Sequence, residues 1–181
     1  MSKLIFFDVD GTLTSHRDGT ILESTKNAIQ QLIQQGFRVV AATGRPLSMC
    51  AELADLGIET FITANGAHAK HKDHVIHKIK STNKTVKEMV QFASNEKNAL
   101  TFYSETLTMN EVKHPTMLKA LNETLSLEEY PPVSKNTFEE DVYLMCLFAD
   151  EEMLLKYKQA FPRLNFKRWH PFIVNVLEED I

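Results

Sequence analysis

The stretch that decides the fold is Phe6-Phe7-Asp8-Val9-Asp10-Gly11-Thr12-Leu13, which continues a short apolar run that begins at Leu4. The run predicts a buried strand, and the Gly-Thr pair marks a sharp exit into a loop. Because strand side chains alternate between two faces, we expect Asp8 and Asp10 on one side and Val9 packed on the other. The pattern therefore predicts a paired-acid site where a strand ends, which is where parallel α/β sheets bind ligands.

A second strand is predicted at Phe37-Arg38-Val39-Val40-Ala41-Ala42, after a helix that begins near Ser24 and stops at Gly36. A strand, a helix and a strand in succession form a βαβ unit with parallel strands. The next residues, Thr43-Gly44-Arg45, are therefore expected beside the tip that carries Asp8. A threonine hydroxyl and the free N–H groups of a glycine turn before a helix are suited to binding a phosphate group.

Both motifs resemble those of one family. Asp8-Val9-Asp10-Gly11-Thr12-Leu13 resembles the first motif of the haloacid dehalogenase (HAD) superfamily, and Ala42-Thr43-Gly44-Arg45 resembles the second motif of its Cof-type sugar-phosphatase branch. The resemblance implies an α/β fold, with a HAD-like Rossmannoid parallel sheet core and an inserted α+β cap domain. It also implies a Mg²⁺-dependent phosphatase of small phosphorylated metabolites, sugar phosphates above all, that forms an aspartyl-phosphate intermediate.

The resemblance also assigns roles to residues. Asp8 is expected to be the nucleophile and Asp10 the acid and base, and both are expected at the metal, Asp10 through its backbone carbonyl. The expected phosphate-binding residues are Gly11, Thr12, Thr43, Gly44, Arg45 and Asn65. Asn65 follows a third predicted strand, Phe61-Ile62-Thr63, and a plain Asn-Gly turn with positive φ is an equally good interpretation of it.

The composition changes after Ile79, and a second, antiparallel-leaning α+β pattern begins. We therefore predict the core at residues 1–81, the cap at 82–178 and a return to the core at 179–181. In the family the cap chooses the substrate, so Arg168 and His170 are predicted substrate contacts. Trp169, which lies between them, is predicted to be a core residue.

Four histidines, His68, His71, His74 and His77, recur at a spacing of three. On a helix they would share a face, and a metal site would be the alternative interpretation. We instead predict a hairpin with its turn at Lys72-Asp73, on which this spacing alternates between faces.

The net charge of −4 and the scattered lysines and arginines give no electrostatic reason to expect a nucleic-acid partner. No apolar run reaches membrane-spanning length, and we expect a cytoplasmic protein without a membrane partner. Cys50 and Cys146 are far apart in the chain and are predicted to be reduced, buried thiols.

Two alternatives to a phosphatase stay open, a non-catalytic phosphate-binding or metabolite-binding HAD-like protein and, less favoured, a receiver-like phosphoacceptor module. The family pattern continues with a lysine and an acidic motif beyond the last cap strand, and the sequence stops at Ile181 before both. We therefore expect an incomplete catalytic set and a C-terminal core segment that is missing here. The strand at Leu4–Phe7, apolar on both faces, would then be an open edge and favour self-association.

Overall fold

The chain folds into two units, and it passes from the first to the second between Lys78 and Ile79 in the computed structural model. The structure describes residues 3–15, 18–135 and 138–178. Each unit is built around a five-stranded sheet. The predicted assignment of residues 82–178 to a cap remains a proposal about what the second unit does.

The first unit begins with the predicted βαβ arrangement. Its elements are β1 Lys3–Asp8, α1 Glu23–Gln34, β2 Phe37–Ala42, a 3₁₀ turn at Leu47–Cys50, α2 Ala51–Asp55, β3 Thr60–Thr63, β4 His68–His71 and β5 His74–Lys78. The sheet order is β1-β2-β3-β4-β5, with β1, β2 and β3 parallel and β4 and β5 added as an antiparallel hairpin. The α/β fold class is therefore confirmed.

The start of α1 agrees with the prediction to within one residue, because the helix begins at Glu23. Its N-cap residue is Leu22, which has no capping side chain, and Ser24 lies inside the first turn. The helix is stabilised instead by its apolar face, since Ile29 is buried in the core of this unit together with Val39 of β2. Packing of such a face contributes more to helix stability in a protein than a cap does.

The helical segment after β2 is divided between the 3₁₀ turn and the short α2. Pro46 precedes the 3₁₀ turn with an extended backbone at ψ 158°. Cys50 ends the 3₁₀ turn, is buried, and its Sγ lies 3.7 Å from the Pro46 carbonyl oxygen.

Burial raises the pKa of the Cys50 thiol to about 11 and that of Cys146 to about 12. The prediction of two free, buried thiols is confirmed.

We predict that neither thiol reacts with Ellman's reagent in the folded protein at pH 8. Both are at most 2 % exposed, and their raised pKa values leave almost no thiolate at that pH. Labelling over a urea series should follow the loss of far-ultraviolet circular dichroism. Rapid labelling of either cysteine before unfolding would contradict the burial described here.

Within the described residues, β1 is an edge strand of the first sheet. Leu4 is 57 % exposed and Phe6 is 59 % exposed, whereas Val40 of the neighbouring strand is buried. On the other face of the strand, Phe7 and Leu32 line an apolar groove of about 260 Å³. An edge that offers both unpaired backbone groups and apolar side chains favours pairing with another chain.

We predict that the 181-residue chain self-associates through this edge. Phe6→Lys places a charge on the edge and should shift the protein towards the monomer in sedimentation velocity at several concentrations. Leu155→Lys is the matched control, because Leu155 is 57 % exposed but lies on a helix of the second unit. A monomeric parent chain, or an equal effect of both substitutions, would contradict the prediction.

The second unit is the antiparallel α+β module expected from its pattern. Its elements are α3 Asn83–Glu96, β6 Ala99–Tyr103, β7 Leu107–Met109, α4 Pro115–Leu125, β8 Leu144–Phe148, α5 Glu151–Ala160, β9 Leu164–His170 and β10 Ile173–Glu178. The sheet order is β7-β6-β8-β10-β9, and each pair of neighbouring strands is antiparallel. Met89 of α3 and Tyr157 of α5 pack with Leu100, Leu147 and Val174 against one sheet face.

The beginning and the end of the second unit are tied together by hydrogen bonds. The Thr82 N–H donates to Glu178 Oε1 at 2.8 Å, and the Ser81 N–H donates to the Val142 carbonyl at 2.9 Å. Thr82 also caps α3, since its side chain accepts a hydrogen bond from the Thr85 N–H. Glu178 therefore makes a structural contact between the two ends of this unit.

Candidate active site

Three loops of the first unit follow the carboxyl ends of its parallel strands. Asp8 ends β1 and is the register partner of Ala42, which ends β2, so that Thr43 comes next along the chain. The third loop follows Thr63 at the end of β3 and contains Asn65. Parallel pairing therefore places all three loops at one edge of the sheet, as the sequence predicted.

The loop after β1 turns around a buried residue. The Val9 carbonyl accepts hydrogen bonds from the N–H groups of Thr12, Leu13 and Thr14 at 3.3, 3.0 and 2.9 Å. Gly11 has a φ of 78°, and its N–H donates to the Thr14 hydroxyl at 3.4 Å. Val9 is fully buried, whereas the neighbouring Asp8 and Asp10 are exposed. The predicted alternation is confirmed.

Asp8 is the less constrained of the two acids. Its Oδ2 accepts a hydrogen bond from the Thr12 hydroxyl at 3.3 Å. No other described residue contacts its carboxylate through a hydrogen bond or an ion pair. An exposed carboxylate at this position can attack an electrophile or bind a hard cation.

Asp10 is held by two side chains from the loop after β2. Nε and Nη2 of Arg45 lie 2.9 and 2.6 Å from its Oδ1, and the Thr43 hydroxyl donates to its Oδ2 at 3.3 Å. The Arg45 backbone N–H donates in turn to the Thr43 hydroxyl at 3.1 Å. The Arg45 side chain is 14 % exposed and that of Asp10 is 44 % exposed, so only the arginine partner is sheltered from solvent. The two acids therefore have different surroundings.

The pairing of Arg45 with Asp10 was not predicted. We expected Arg45 near a phosphate group and the Thr43 hydroxyl as a donor to it, and in the structure both side chains contact Asp10. The two segments are 35 residues apart in the chain, and no local pattern reports such a contact. The only sequence signal for this contact was that both motifs were predicted to lie at the same edge of the sheet.

Gly44 and Asn65 lie against each other. A Cβ atom added at Gly44 would lie 2.8 Å from Asn65 Oδ1, closer than such atoms approach in proteins. The loops are joined further by hydrogen bonds from the Asn65 N–H to the Thr43 carbonyl at 3.3 Å and from the Ala64 N–H to the Arg45 carbonyl at 3.1 Å. Asn65 has the predicted positive φ, 56°, which asparagine tolerates better than most residues. It is therefore both a turn residue and a neighbour of the Thr43 loop.

Hydrogen-bond donors remain available beside this contact. Among the described residues, none accepts a hydrogen bond from the Gly44 N–H or from the Asn65 side-chain amide. Both groups can therefore donate to an oxygen atom of a bound anion. The helix dipole that we expected to assist them is small, because the helix after this loop is short.

The structure describes no group of three or more histidine, cysteine, aspartate or glutamate residues that could hold a metal ion. Asp8 provides one accessible oxygen ligand of the kind that Mg²⁺ prefers. The Asp10 carboxylate is already paired with Arg45. The chemistry of these donors therefore fits Mg²⁺ through Asp8, and it leaves Asp10 to contribute other than by its side chain.

The histidine-rich segment is the predicted hairpin, with one correction. His71 pairs with His74 and Ala69 pairs with His77, across an irregularity between Ala69 and Lys70. Directly opposed residues share a face, so the irregularity places His71, His74 and His77 on the same face rather than on alternating faces. His71 Nδ1 lies 2.8 Å from the Thr60 hydroxyl.

Arg168, a predicted substrate contact, binds backbone groups of the second unit. Its Nη1 donates to the Pro171 carbonyl at 2.7 Å and to the Ala149 carbonyl at 3.0 Å, and its Nε lies 2.5 Å from Glu151 Oε1. These contacts fix the turn between β9 and β10. A substrate role for Arg168 remains a prediction.

His170, the other predicted substrate contact, also has two partners. Its Nδ1 accepts a hydrogen bond from the Phe172 N–H at 3.2 Å, and its Nε2 lies 3.1 Å from Glu123 Oε2. Trp169, predicted to be buried, is 50 % exposed. It lies on an edge strand of the sheet, where alternation turns it away from the core.

We predict that Arg168→Ala lowers the free energy of unfolding by about 1–3 kcal/mol, because charge-assisted bonds to two carbonyls are lost. Urea unfolding monitored by circular dichroism measures this. Arg163→Ala is the matched control, since Arg163 is 47 % exposed and pairs with Glu88 on the surface, and its effect should be below about 1 kcal/mol. Unchanged stability with an altered preference among phosphate esters would instead support the substrate contact.

Comparison with known proteins identifies the class of protein that this fold and site define. Residues 5–181 match the family described as haloacid dehalogenase-like hydrolase. The chain is 32 % identical over 179 residues to YkrA of Bacillus subtilis (strain 168), which is named for an inferred phosphatase activity; the match covers 97 % of this chain and 68 % of YkrA. The chain therefore belongs to the haloacid dehalogenase-like hydrolase family.

Solved structures support the same class. A protein from Geobacillus kaustophilus HTA426 matches with a TM-score of 0.85 and 28 % identity, over 99 % of this chain and 70 % of that one. The HAD subclass IIB sugar phosphatase BT4131 matches with a TM-score of 0.75 and 28 % identity, over 98 % of this chain and 70 % of that one. With these relatives, the chain is a HAD-type phosphoric monoester hydrolase, and the predicted family is confirmed. No helix in the described parts of the chain is long and apolar enough to cross a membrane.

Proposed function

We propose that this protein is a Mg²⁺-dependent phosphatase of small phosphorylated metabolites, sugar phosphates above all, that forms an aspartyl-phosphate intermediate. The observation that carries the proposal is the unequal environment of two neighbouring acids. Among the described residues, only Thr12 forms a hydrogen bond to the exposed Asp8 carboxylate, whereas Asp10 is bound by Arg45 and Thr43. The sugar-phosphatase activity in the name of BT4131 supports the substrate class.

Asp8 is the nucleophile in this proposal. A carboxylate oxygen attacks phosphorus, a bond from that oxygen to phosphorus forms, and the bond to the ester oxygen breaks. The leaving oxygen needs a proton. Water then attacks the aspartyl phosphate, releases inorganic phosphate and restores the Asp8 carboxylate.

Asp10 supplies that proton and later accepts one from the attacking water. Arg45 binds only its Oδ1, so the proton is carried by Oδ2, the oxygen that faces the Thr43 hydroxyl. When Oδ2 is protonated, the Thr43 hydroxyl either accepts a hydrogen bond from it or no longer bonds to Asp10. Its hydroxyl is then free for the phosphoryl oxygens that the family resemblance assigns to it.

Developing charge on the transferring oxygens is stabilised by donors from two loops. The Gly44 N–H and the Asn65 amide are available for this purpose, and their positions are fixed by the close contact between Gly44 and Asn65. Arg45 adds a positive charge next to them, and Gly11 and Thr12 border the site on the side of β1. Donors that are fixed in place before the reaction stabilise a transition state without further reorganisation.

When bound, Mg²⁺ would neutralise charge on the Asp8 carboxylate and the phosphoryl oxygens. The residues that would hold it are Asp8, through its carboxylate, and Asp10, through its backbone carbonyl. The pairing of the Asp10 side chain with Arg45 supports this division.

A second candidate function is non-catalytic binding of a phosphate or a phosphorylated metabolite. It is favoured by one observation, that no third acid joins Asp8 and Asp10 among the described residues. Release of inorganic phosphate from glucose 6-phosphate or acetyl phosphate with Mg²⁺ distinguishes the two functions. Saturable phosphate binding without any turnover would support the second candidate.

Three further expectations belong to the same proposal. Residues 82–178 act as a cap that chooses the substrate, the chain is located in the cytoplasm, and its macromolecular contacts are limited to another copy or to a further core segment. Fractionation of cells tests the location. Exchange of this segment for that of a relative with different specificity tests the cap.

We predict that Asp8→Asn lowers phosphate release by about 10³-fold or more in any active form of the protein, because the nucleophile is lost. Asp10→Asn should still form the aspartyl phosphate but discharge it slowly, because the residue that activates water is lost. Phosphate release and acid-quenched covalent labelling measure the two steps. Asp18→Asn is a control, since Asp18 is exposed and its side chain accepts hydrogen bonds from Thr20 of the same loop. Near-parental turnover by Asp8→Asn would refute the nucleophile assignment.

A further inference from the structure

Trp169, which is the one tryptophan in the sequence, has its polar atom satisfied and its ring exposed. The indole Nε1–H donates to Asn175 Oδ1 at 2.8 Å, and the side chain is still 50 % exposed. What faces solvent is therefore mainly the carbon surface of the ring. A tryptophan ring presented in this way is suited to packing against the apolar face of a ligand.

Asn175 is oriented by two donors. Its Oδ1 accepts from Trp169 and also from the buried Cys146, whose Sγ lies 3.3 Å away. These two bonds identify which side-chain atom of Asn175 is the oxygen. The Nδ2 amide group therefore points away from Trp169 and Cys146. No described residue accepts a hydrogen bond from that amide, so it can donate to a ligand.

Lys167 adds a charge to the same sheet face. It is the register partner of Asn175, so the two side chains project from the same side of β9 and β10. Lys167 is exposed, and no carboxylate among residues 3–15, 18–135 and 138–178 pairs with it. Trp169 lies two residues further along β9, and its bond to Asn175 places it on this face as well.

The ring is also held on a strand end next to a rigid turn. The residue before it, Arg168, binds the Pro171 and Ala149 carbonyls, and the residue after it, His170, contacts Glu123. Fixing both neighbours reduces the freedom that Trp169 would otherwise lose on binding. A binding surface prepared in this way has a lower entropic cost of association.

We propose that Lys167, Trp169 and Asn175 form a binding surface for the ring of a phosphorylated sugar. The C–H face of the sugar ring packs on the indole, the Asn175 amide donates to a ring hydroxyl, and the Lys167 ammonium group binds an anionic oxygen. All the free polar groups of this surface are donors, which matches the hydroxyl and phosphate oxygens of such a ligand. The choice of a phosphate ester rests on the proposed function, and the remaining argument rests on the second unit alone.

The test uses tryptophan fluorescence, which reports on Trp169 alone. The full chain with Asp8→Asn, in the absence of Mg²⁺, is titrated with glucose 6-phosphate, with the open-chain sorbitol 6-phosphate and with inorganic phosphate. We expect a saturable blue shift with glucose 6-phosphate and an affinity for sorbitol 6-phosphate weaker by about five-fold or more, because an open chain has no preformed C–H face. Inorganic phosphate should leave the emission unchanged. No response to glucose 6-phosphate, or an equal response to inorganic phosphate, would overturn the proposal.

Two variants locate the binding. Asn175→Asp keeps an oxygen for Trp169 and Cys146 but removes the outward donor, and Lys167→Met removes the charge but keeps an unbranched stem. Each should weaken glucose 6-phosphate binding by about five-fold or more. Lys158→Met is the matched control, since Lys158 is an exposed lysine on α5, which packs on the opposite sheet face. Equal affinities in all three variants would place the ligand elsewhere.

The proposed function and this surface can fail separately. Phosphate release is measured on the chain with Asp8 intact, and binding is measured by fluorescence without turnover. If the protein hydrolyses phosphate esters but its emission does not respond to glucose 6-phosphate, the proposed function stands and the proposed binding surface is refuted. A saturable, ring-dependent response in a chain that releases no phosphate would support this surface and contradict the proposed function.

Discussion

The parallel pairing of β1 with β2 is the interaction on which the candidate site depends. Its register places Asp8 opposite Ala42, and every contact between the first two motifs follows from that alignment. A shift by one residue would turn Val9 towards solvent and its neighbouring acids into the core. Burial of Val9 therefore specifies the register, and the register specifies which side chains can meet at the end of the sheet.

The ion pair between Arg45 and Asp10 then separates the chemistry of two acids that the sequence presents almost symmetrically. Both follow the same strand and both are exposed to solvent. One receives a guanidinium group and a hydroxyl group from the neighbouring loop, and the other does not. Different roles for similar side chains thus arise from a contact between distant segments, as is common where two carboxylates share a site.

Local sequence patterns predicted the strands and helices. The side-chain contacts within the candidate site depend on residues that are distant in the sequence. The alternation around Val9 and the β-branched run of β2 were sufficient to predict parallel strands and a loop with two acids. The pairing of Arg45 with Asp10 could not be predicted, because it depends on side-chain conformations across two loops. Trp169 was misassigned because residue type favours burial, whereas its position on an edge strand decides its exposure.

The hydrogen bond between Thr82 and Glu178 has a consequence for modularity. It brings the beginning and the described end of the second unit within 2.8 Å of each other. A segment whose ends meet can be inserted into a loop of a host protein without forcing apart the strands on either side of that loop. The entropic cost of closing the host loop then depends little on how long the insert is. Such a unit is a transplantable module, and its interior can diversify while the junction with its host stays the same.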